Sequence, residues 1–352
     1  MAALCIQGLG VRYGEQPVLE DIGLKLAAGD YACLLGRSGS GKSTLLAAVA
    51  GFIRPSAGQI VIGAETVHDA PTGLDRSPHQ RGLGMVFQEA NLWPHLSVTD
   101  NILFPLRSRR LHADARWAEE LLDRVGLTGL GKRKPASLSG GQRQRVAICR
   151  ALSAKPGLVL LDEPLSAVDG PTREELRAYL QTLFAETGTT ALHVTHDPAE
   201  AFALGHRVAV LDQGRMAQCS TPVEIYRQPD SETVAGLTGS YRSVPVHVEQ
   251  HGGGQAHFEF DGRAWAAPAH ASVRRGPARL LLRPQAVRIR PETGAWRVHK
   301  RRFDAGVFHI EVEHPGGNQI HGLCPQNPAH DAVAIDLIPE HCWLLPAGQR
   351  TV

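Results

Sequence analysis

The chain has 352 residues, 43% hydrophobic and 20% charged, a globular composition with room for two or three domains that excludes a disordered or fibrous protein. Its 37 lysines and arginines against 35 acidic residues leave a formal charge of +2, too little for the general basic field that holds nucleic acid without sequence preference. The six cysteines stand singly with no CxxC pair, which excludes a disulfide framework and a zinc ribbon.

No apolar run approaches the roughly 18 residues of a membrane span. The opening MAALCIQGLGVRYGE lacks a basic start followed by an apolar core and a cleavage site, so a cytoplasmic chain is expected. In chain order, the first clear element is an apolar strand, Tyr31 to Leu35, entered from a Gly29-Asp30 turn and followed by GRSGSGKST and the helix-forming LLAAVAG. ADARWAEELLDRVG puts Trp117, Leu121, Leu122 and Val125 on one helical face, with Gly126 as the C-terminal stop, and reads as part of a helical insertion over about 89–157. Leu158 to Leu161, Ala191 to Thr195 and Val208 to Leu211 are apolar without alternation, as strands buried on both faces of a mostly parallel sheet must be. Asp212-Gln213-Gly214 reads as a hairpin turn, and a helical stretch around Pro222 to Arg227 closes an α/β domain assigned to 1–240. From 241 to 352, glycines and prolines separate short β-like runs such as Ala278 to Leu282 and Val307 to Val312, which predicts a small, barrel-like all-β domain.

The run Gly36-Arg37-Ser38-Gly39-Ser40-Gly41-Lys42-Ser43-Thr44 satisfies GxxxxGK[ST] between a strand and a helix, the context its mechanism requires. Glycines let consecutive N–H groups turn toward a phosphate, and the helix N-terminus adds about half a positive charge. Lys42 is expected to reach the β- and γ-phosphates of a nucleotide and Ser43 to ligate Mg²⁺. LVLLDEP then delivers Asp162 to the end of a buried strand as a second Mg²⁺ ligand, with Glu163 as the candidate general base for water.

A third element, Leu138-Ser139-Gly140-Gly141-Gln142 followed by RQRVAICRALSA, opens a helix with a hydroxyl cap and two glycines, repeating the anion-binding logic of the first loop. With these three elements the sequence resembles the ATP-binding subunits of ABC transporters, in which LSGGQ is the signature. The resemblance implies a P-loop ABC ATPase fold with a helical subdomain, an ATP and Mg²⁺ requirement, and a homodimer in which each signature caps the nucleotide of the other copy. It also implies roles for Tyr13 as the adenine stacker, for Gln88 as the Q-loop residue near Mg²⁺ and the attacking water, for Asp169 in the D-loop Ser166-Ala167-Val168-Asp169, and for His196 as the γ-phosphate switch histidine. Ser139, Gly140, Gly141 and Gln142 would contact the partner copy's nucleotide, while His193 inside the strand has no such role and reads as a core or network histidine.

The stretch from Arg207 to Ser240, together with LLLRPQAVRIRP, resembles the importer ATPases that carry a C-terminal regulatory β domain of TOBE/OB type, the group serving iron, sulfate, molybdate, polyamines, phosphonates and sugars. That implies a peripheral subunit on the cytoplasmic face of the inner membrane, working with separate permease subunits and indirectly with a solute-binding protein, ferric iron being the expected cargo. Glu89 to Thr99, with Trp93 and Leu96, is the expected permease-docking segment unless those side chains pack within the helical insertion. Ten of the 17 histidines lie between His247 and His341, but in no ligand spacing, so no metal site is expected there. The competing class, a soluble ABC protein on nucleic acid, would rest on Arg274, Arg275, Arg288, Arg290, Lys300, Arg301 and Arg302 with Trp265 and Trp296 as stacking residues. No nucleic acid is expected.

Overall fold

The structure, a computed structural model, describes residues 1–348 apart from 167, 169 and 291, and it divides into two compact units, Met1–Pro222 and Val223–Val352. The division falls between Pro222 and Val223, within the first turn of the short helices at 222–237, where the sequence predicts a boundary at 240; Arg283 and Trp343 of the β unit hydrogen-bond to the backbone of this segment.

The first unit opens with an antiparallel pair, β1 (Leu4–Tyr13) and β2 (Gln16–Leu26), and then β3 (Tyr31–Leu35), whose five residues are all buried. Helix α1 (Lys42–Ala50) follows the glycine loop, and β4 (Ala57–Ile62), β5 (Glu65–Asp69) and β6 (Leu74–Asp75) join the first pair in a sheet of order β2-β1-β4-β5-β6. After β7 (Gly84–Val86) the chain leaves for three helices, α2 (Val98–Ser108), α3 (Ala115–Arg124) and α4 (Gly140–Ser153). It returns through β8 (Leu158–Asp162), α5 (Gly170–Thr187), β9 (Thr190–Thr195), α6 (Pro198–Leu204), β10 (Arg207–Asp212) and β11 (Arg215–Ser220).

The second sheet runs β11-β10-β3-β9-β8-β7, parallel except for the β10–β11 hairpin. One face of its inner strands packs with α1 and the antiparallel sheet in a core where Leu34, Leu45, Leu46, Leu158, Leu160, Leu192 and Leu211 are fully buried, and the other carries the equally buried Cys33, Val159, Leu161 and Val210 on the side where α6 packs on β3 and Phe184 of α5 meets Tyr31. Each such leucine contributes about 2 kcal/mol by leaving water. Gln213 and Gly214 both have positive φ, as the predicted hairpin turn between β10 and β11 requires.

The helical segment is set by its caps. Ser97, Asp114 and Ser139 each accept a backbone N–H at the start of α2, α3 and α4, and Gly126, at φ +69°, ends the third-helix run in the left-handed conformation the sequence predicts. Leu121, Leu122 and Val125 are buried as the periodicity requires, while Trp117 is half-buried and donates its indole N–H to Ser153 O at 2.9 Å.

The second unit takes α7 (Pro222–Arg227) and α8 (Glu232–Leu237), then β12 (Arg242–Gly252), β13 (Gln255–Phe260), β14 (Arg263–Pro268) and β15 (Gly276–Leu282). Next come β16 (Val287–Arg290), β17 (Trp296–Asp304), β18 (Val307–Glu313), β19 (Gln319–Cys324), β20 (Ala332–Leu337) and β21 (Cys342–Pro346). They make a five-stranded antiparallel sheet, β14-β13-β12-β15-β21, and a closed five-stranded barrel, β16-β19-β18-β17-β20. The barrel bears out the all-β, OB-like expectation, and the accompanying sheet enlarges it. Arg283 fastens the helices to this unit: its buried guanidinium donates to the carbonyls of Ala235 and Tyr226 and to Thr238 Oγ1, and lies over the Tyr226 ring. Trp296 is 1% exposed inside the barrel, which removes it as a stacking surface for a nucleic-acid base.

Candidate nucleotide site

Sheet register brings the chemistry together. Leu35 at the end of β3 lies opposite Thr195 at the end of β9, and Asp162 at the end of β8 lies opposite Val194. The phosphate loop, Glu163 and His196 therefore emerge at one carboxyl edge of the parallel sheet, where α/β folds form their ligand crevices.

The loop from Gly36 to Gly41 is fixed by close approach. Gly41 has φ +103°, and a Cβ there would lie 2.6 Å from Leu19 Cδ2, so only glycine lets the chain turn into α1. Arg37, Ser38 and Gly39 are exposed, whereas Ser40 and Lys42 are buried. The Lys42 ammonium donates to the carbonyls of Gly36 at 2.8 Å and Arg37 at 2.9 Å, lying back over its own loop. Burial pushes its pKa down, against the opposing pull of Glu163 and Asp162. Thr44 is half-buried in the first turn of α1.

Ser43 Oγ donates to Asp162 Oδ1 at 3.1 Å, joining helix and strand across the crevice. Burial raises the Asp162 pKa; the Ser43 hydrogen bond and the Lys42 charge oppose this, and neighbouring Glu163 adds to it. A hydroxyl and a carboxylate oxygen side by side are hard donors of the kind Mg²⁺ takes, with water and phosphate oxygens completing its shell. Among the described residues no three His, Cys, Asp or Glu side chains form a self-sufficient metal cage.

Glu163 is the backbone outlier of the site, with φ +43°. The left-handed conformation costs a non-glycine residue about 1 kcal/mol and persists here because the Glu163 N–H donates to Val194 O at 3.0 Å while Ser166 Oγ donates to the Glu163 carbonyl at 2.9 Å. The turn aims the carboxylate at His196, whose Nδ1 lies 3.1 Å from Glu163 Oε2. A carboxylate only accepts, so Nδ1 carries the proton.

Among the described residues the other predicted positions make no hydrogen bond to this cluster. Tyr13, at the hairpin end of β1, is 55% exposed, a ring free to stack. Gln88 is exposed just beyond β7 and shares a hollow with Gly140 and Gln144. Ser139 caps α4 reciprocally: its Oγ accepts from Gln142 N–H at 3.3 Å, and Gln142 Oε1 accepts from Ser139 N–H at 3.1 Å. Gly141 packs against Thr172, which a Cβ would approach to 2.7 Å. Among the described residues neither Gln88 nor the Ser139–Gln142 segment hydrogen-bonds to the phosphate loop. Asp169 and Ala167 lie outside the described residues.

Two buried polar residues of α4 were not singled out from sequence. Gln144 donates to Phe87 O at 3.2 Å, and Arg150 donates to the carbonyls of Ala90 and Asn91 at 3.0 and 2.7 Å, so together they hold the loop around Gln88. Their signal was available as polar side chains on the buried face of RQRVAICRA. Arg150 also lies over Trp93, whose ring stacks on Phe104 at 4.0 Å, so Trp93 packs within the helical segment. His193 is a network histidine, bonded through Nδ1 to the Tyr31 hydroxyl at 2.9 Å.

The profile of the family described as ABC transporter matches residues 19–166. The chain is similar to the Fe(3+) ions import ATP-binding protein FbpC of Streptomyces avermitilis, with 43% identity over 84% of this chain and 82% of that one. The chain belongs to the ABC transporter family. As an ABC ATPase it is also similar to the sulfate/thiosulfate import ATP-binding protein CysA of Brucella melitensis, at 37% identity over 97% of this chain and 95% of that one. The spermidine/putrescine import ATP-binding protein PotA of Chromobacterium violaceum shares 36% identity over 99% of both chains. Among solved structures, the dimeric post-hydrolysis state of the ATP-binding cassette MJ0796 bound to ADP and Pi covers 62% of this ABC protein and 98% of its own chain, at 31% identity and TM-score 0.55. No helix among the described residues of this ATPase is long and apolar enough to cross a membrane.

Proposed function

We propose that this ABC ATPase works as a homodimer that powers import of ferric iron through separate membrane permease subunits, fed by a solute-binding protein, from the cytoplasmic face of the inner membrane. The observation that carries the mechanism is the convergence of Lys42, Ser43, Asp162, Glu163 and His196 at one sheet edge. Import and iron are supported by the functions for which the relatives are named, of which the Streptomyces avermitilis iron protein shares 43% identity. The sulfate and polyamine relatives cover more of the chain, so cargo rests on likeness and not on the site.

On this reading the α1 N-terminus and the loop amides receive the phosphates, and the desolvated Lys42 ammonium exchanges its two carbonyl partners for phosphate oxygens. Ser43, Asp162 and Gln88 would hold Mg²⁺, which when bound supplies positive charge against the phosphate oxygens. Glu163 takes the proton of the attacking water, and His196, hydrogen-bonded to it, faces the γ-phosphate. Tyr13 stacks on adenine. The helix that Ser139 caps offers its N-terminus to the nucleotide of the second copy, and Gly140, Gly141, Gln142 and Asp169 belong to that shared face. The loop Glu89 to Thr99 is the proposed permease-docking segment, and the β unit the regulatory one.

Uptake of radiolabelled Fe³⁺ by cells with and without the gene, with sulfate, molybdate and spermidine as controls, tests the cargo. Loss of iron uptake alone is expected; unchanged iron uptake with loss of another cargo would keep the importer and discard iron.

A further inference from the structure

Beneath His196 lies a buried polar group that packing alone does not explain. Thr195 is 2% exposed, Glu200 4% and His193 0%. A carboxylate taken out of water costs several kcal/mol unless partners repay it, and an apolar side chain would fill the same place on α6 without that cost. Burial accordingly raises the Glu200 pKa, with the Thr195 hydrogen bond and the Arg173 charge opposing, and drives the His193 imidazole down to about 3.

The partners of Glu200 point to one place. Thr195 Oγ1 donates to Glu200 Oε2 at 2.6 Å, and the same oxygen accepts the Asp197 N–H at 3.0 Å. One hydroxyl thus bridges the carboxylate and the peptide that directly follows His196. Donation to a carboxylate polarises the O–H and strengthens its oxygen as an acceptor, so the two bonds support each other. Asp197 Oδ1 in turn accepts the Ala199 N–H at 2.8 Å, which seats this peptide on the first turn of α6. On the far side, His193 Nε2 lies 3.9 Å from Glu200 Oε2 and has no hydrogen-bond partner among the described residues, and Tyr31 holds the other ring nitrogen. Arg173 lines the same hollow as Glu200 and donates to the carbonyl of Val168 at 2.9 Å.

His196 needs such a support. Its side chain is 59% exposed and its one described hydrogen bond runs to Glu163. Rotation at the 195–197 backbone would swing the imidazole away from that carboxylate. We propose that Glu200, acting through the Thr195 hydroxyl, is a positioning residue for hydrolysis, clamping the peptide after His196 so that the imidazole meets Glu163. This rests on the reading of His196 and Glu163 as the hydrolytic pair.

The test is steady-state ATP hydrolysis by the purified full chain as Thr195→Val, Thr195→Ser and Glu200→Gln, each alone and with His196→Ala. Thr195→Val, which keeps the shape and loses the hydroxyl, is expected to lower kcat about tenfold with KM for ATP within about twofold, and Thr195→Ser to restore kcat to within about twofold of the parent. In the His196→Ala background Thr195→Val is expected to add no further loss, because the clamp acts through that side chain. Parent-like kcat in folded Thr195→Val, an equal loss in Thr195→Ser, or penalties that multiply with His196→Ala would each overturn the clamp. Parent-like activity of His196→Ala alone would instead overturn the reading beneath it, and the clamp with it. Should Thr195→Val fail to fold, Glu200→Gln carries the same cycle.

Discussion

Helices α1 and α4 both begin at a glycine-rich, hydroxyl-bearing turn, and the chain treats the two starts differently. At α1 the start is enclosed: Lys42 is buried over its own loop, Ser43 is bonded to Asp162, and the adjacent strands β9 and β8, on one side of β3, bring in His196 and Glu163. At α4 the start is closed by the reciprocal Ser139–Gln142 cap, with Ser139 and Gly140 exposed. Both present helix N-termini suited to anions. The first carries its own candidate chemistry, whereas the second is an exposed, capped helix start. On the proposed reading it is the surface that meets the nucleotide of a second copy.

The largest expected effect separates chemistry from binding at the enclosed start. Glu163→Gln should lower kcat about 1000-fold while ATP affinity stays within a few-fold and a dimer accumulates with ATP; turnover near the parent rate in a single-turnover assay would remove the general-base role. Lys42→Ala should weaken ATP binding about 100-fold by equilibrium titration, because a desolvated charge–phosphate interaction is lost. At the open start the outcome is reversed. Ser139→Ala should leave ATP binding to the isolated chain unchanged, lower kcat about tenfold, and cost about 1 kcal/mol in chemical denaturation through the lost cap. Equal losses of monomer ATP affinity in Lys42→Ala and Ser139→Ala would erase the distinction. Smallest is Tyr13→Ala, expected to raise KM for ATP about fivefold with kcat unchanged, since an exposed stack contributes about 1 kcal/mol.

The parallel sheet was legible because strands covered on both faces read as unbroken apolar runs, and β3, β8, β9 and β10 lie where those runs predict. The antiparallel sheet was not: Gly8 and Gly10 and three register shifts break the alternation of β1. Sequence placed 222–237 with the ATPase because a short amphipathic helix carries no sign of which neighbour it packs on; the Arg283 contacts decide that at long range. At the site, motifs located Lys42, Asp162, Glu163 and His196. They could not show the left-handed backbone of Glu163 or the Thr195–Glu200 bond, which arise from the meeting of segments and not from any one segment's composition. Trp296 read as a stacking candidate beside arginines, yet it fills the barrel, since strand alternation sends it inward while the arginines of β17 face water.

The most direct test of a site shared between two copies is complementation. Lys42→Ala lacks a working phosphate loop and Ser139→Arg a working signature, so each homodimer should be nearly inactive. Mixed in equal amounts, half the dimers should be mixed and hold one intact site each, giving about a quarter of parental ATPase activity. Recovery to that level supports a loop from one copy facing the signature of the other. A mixture no more active than its components, with mixed dimers shown to form, would contradict it.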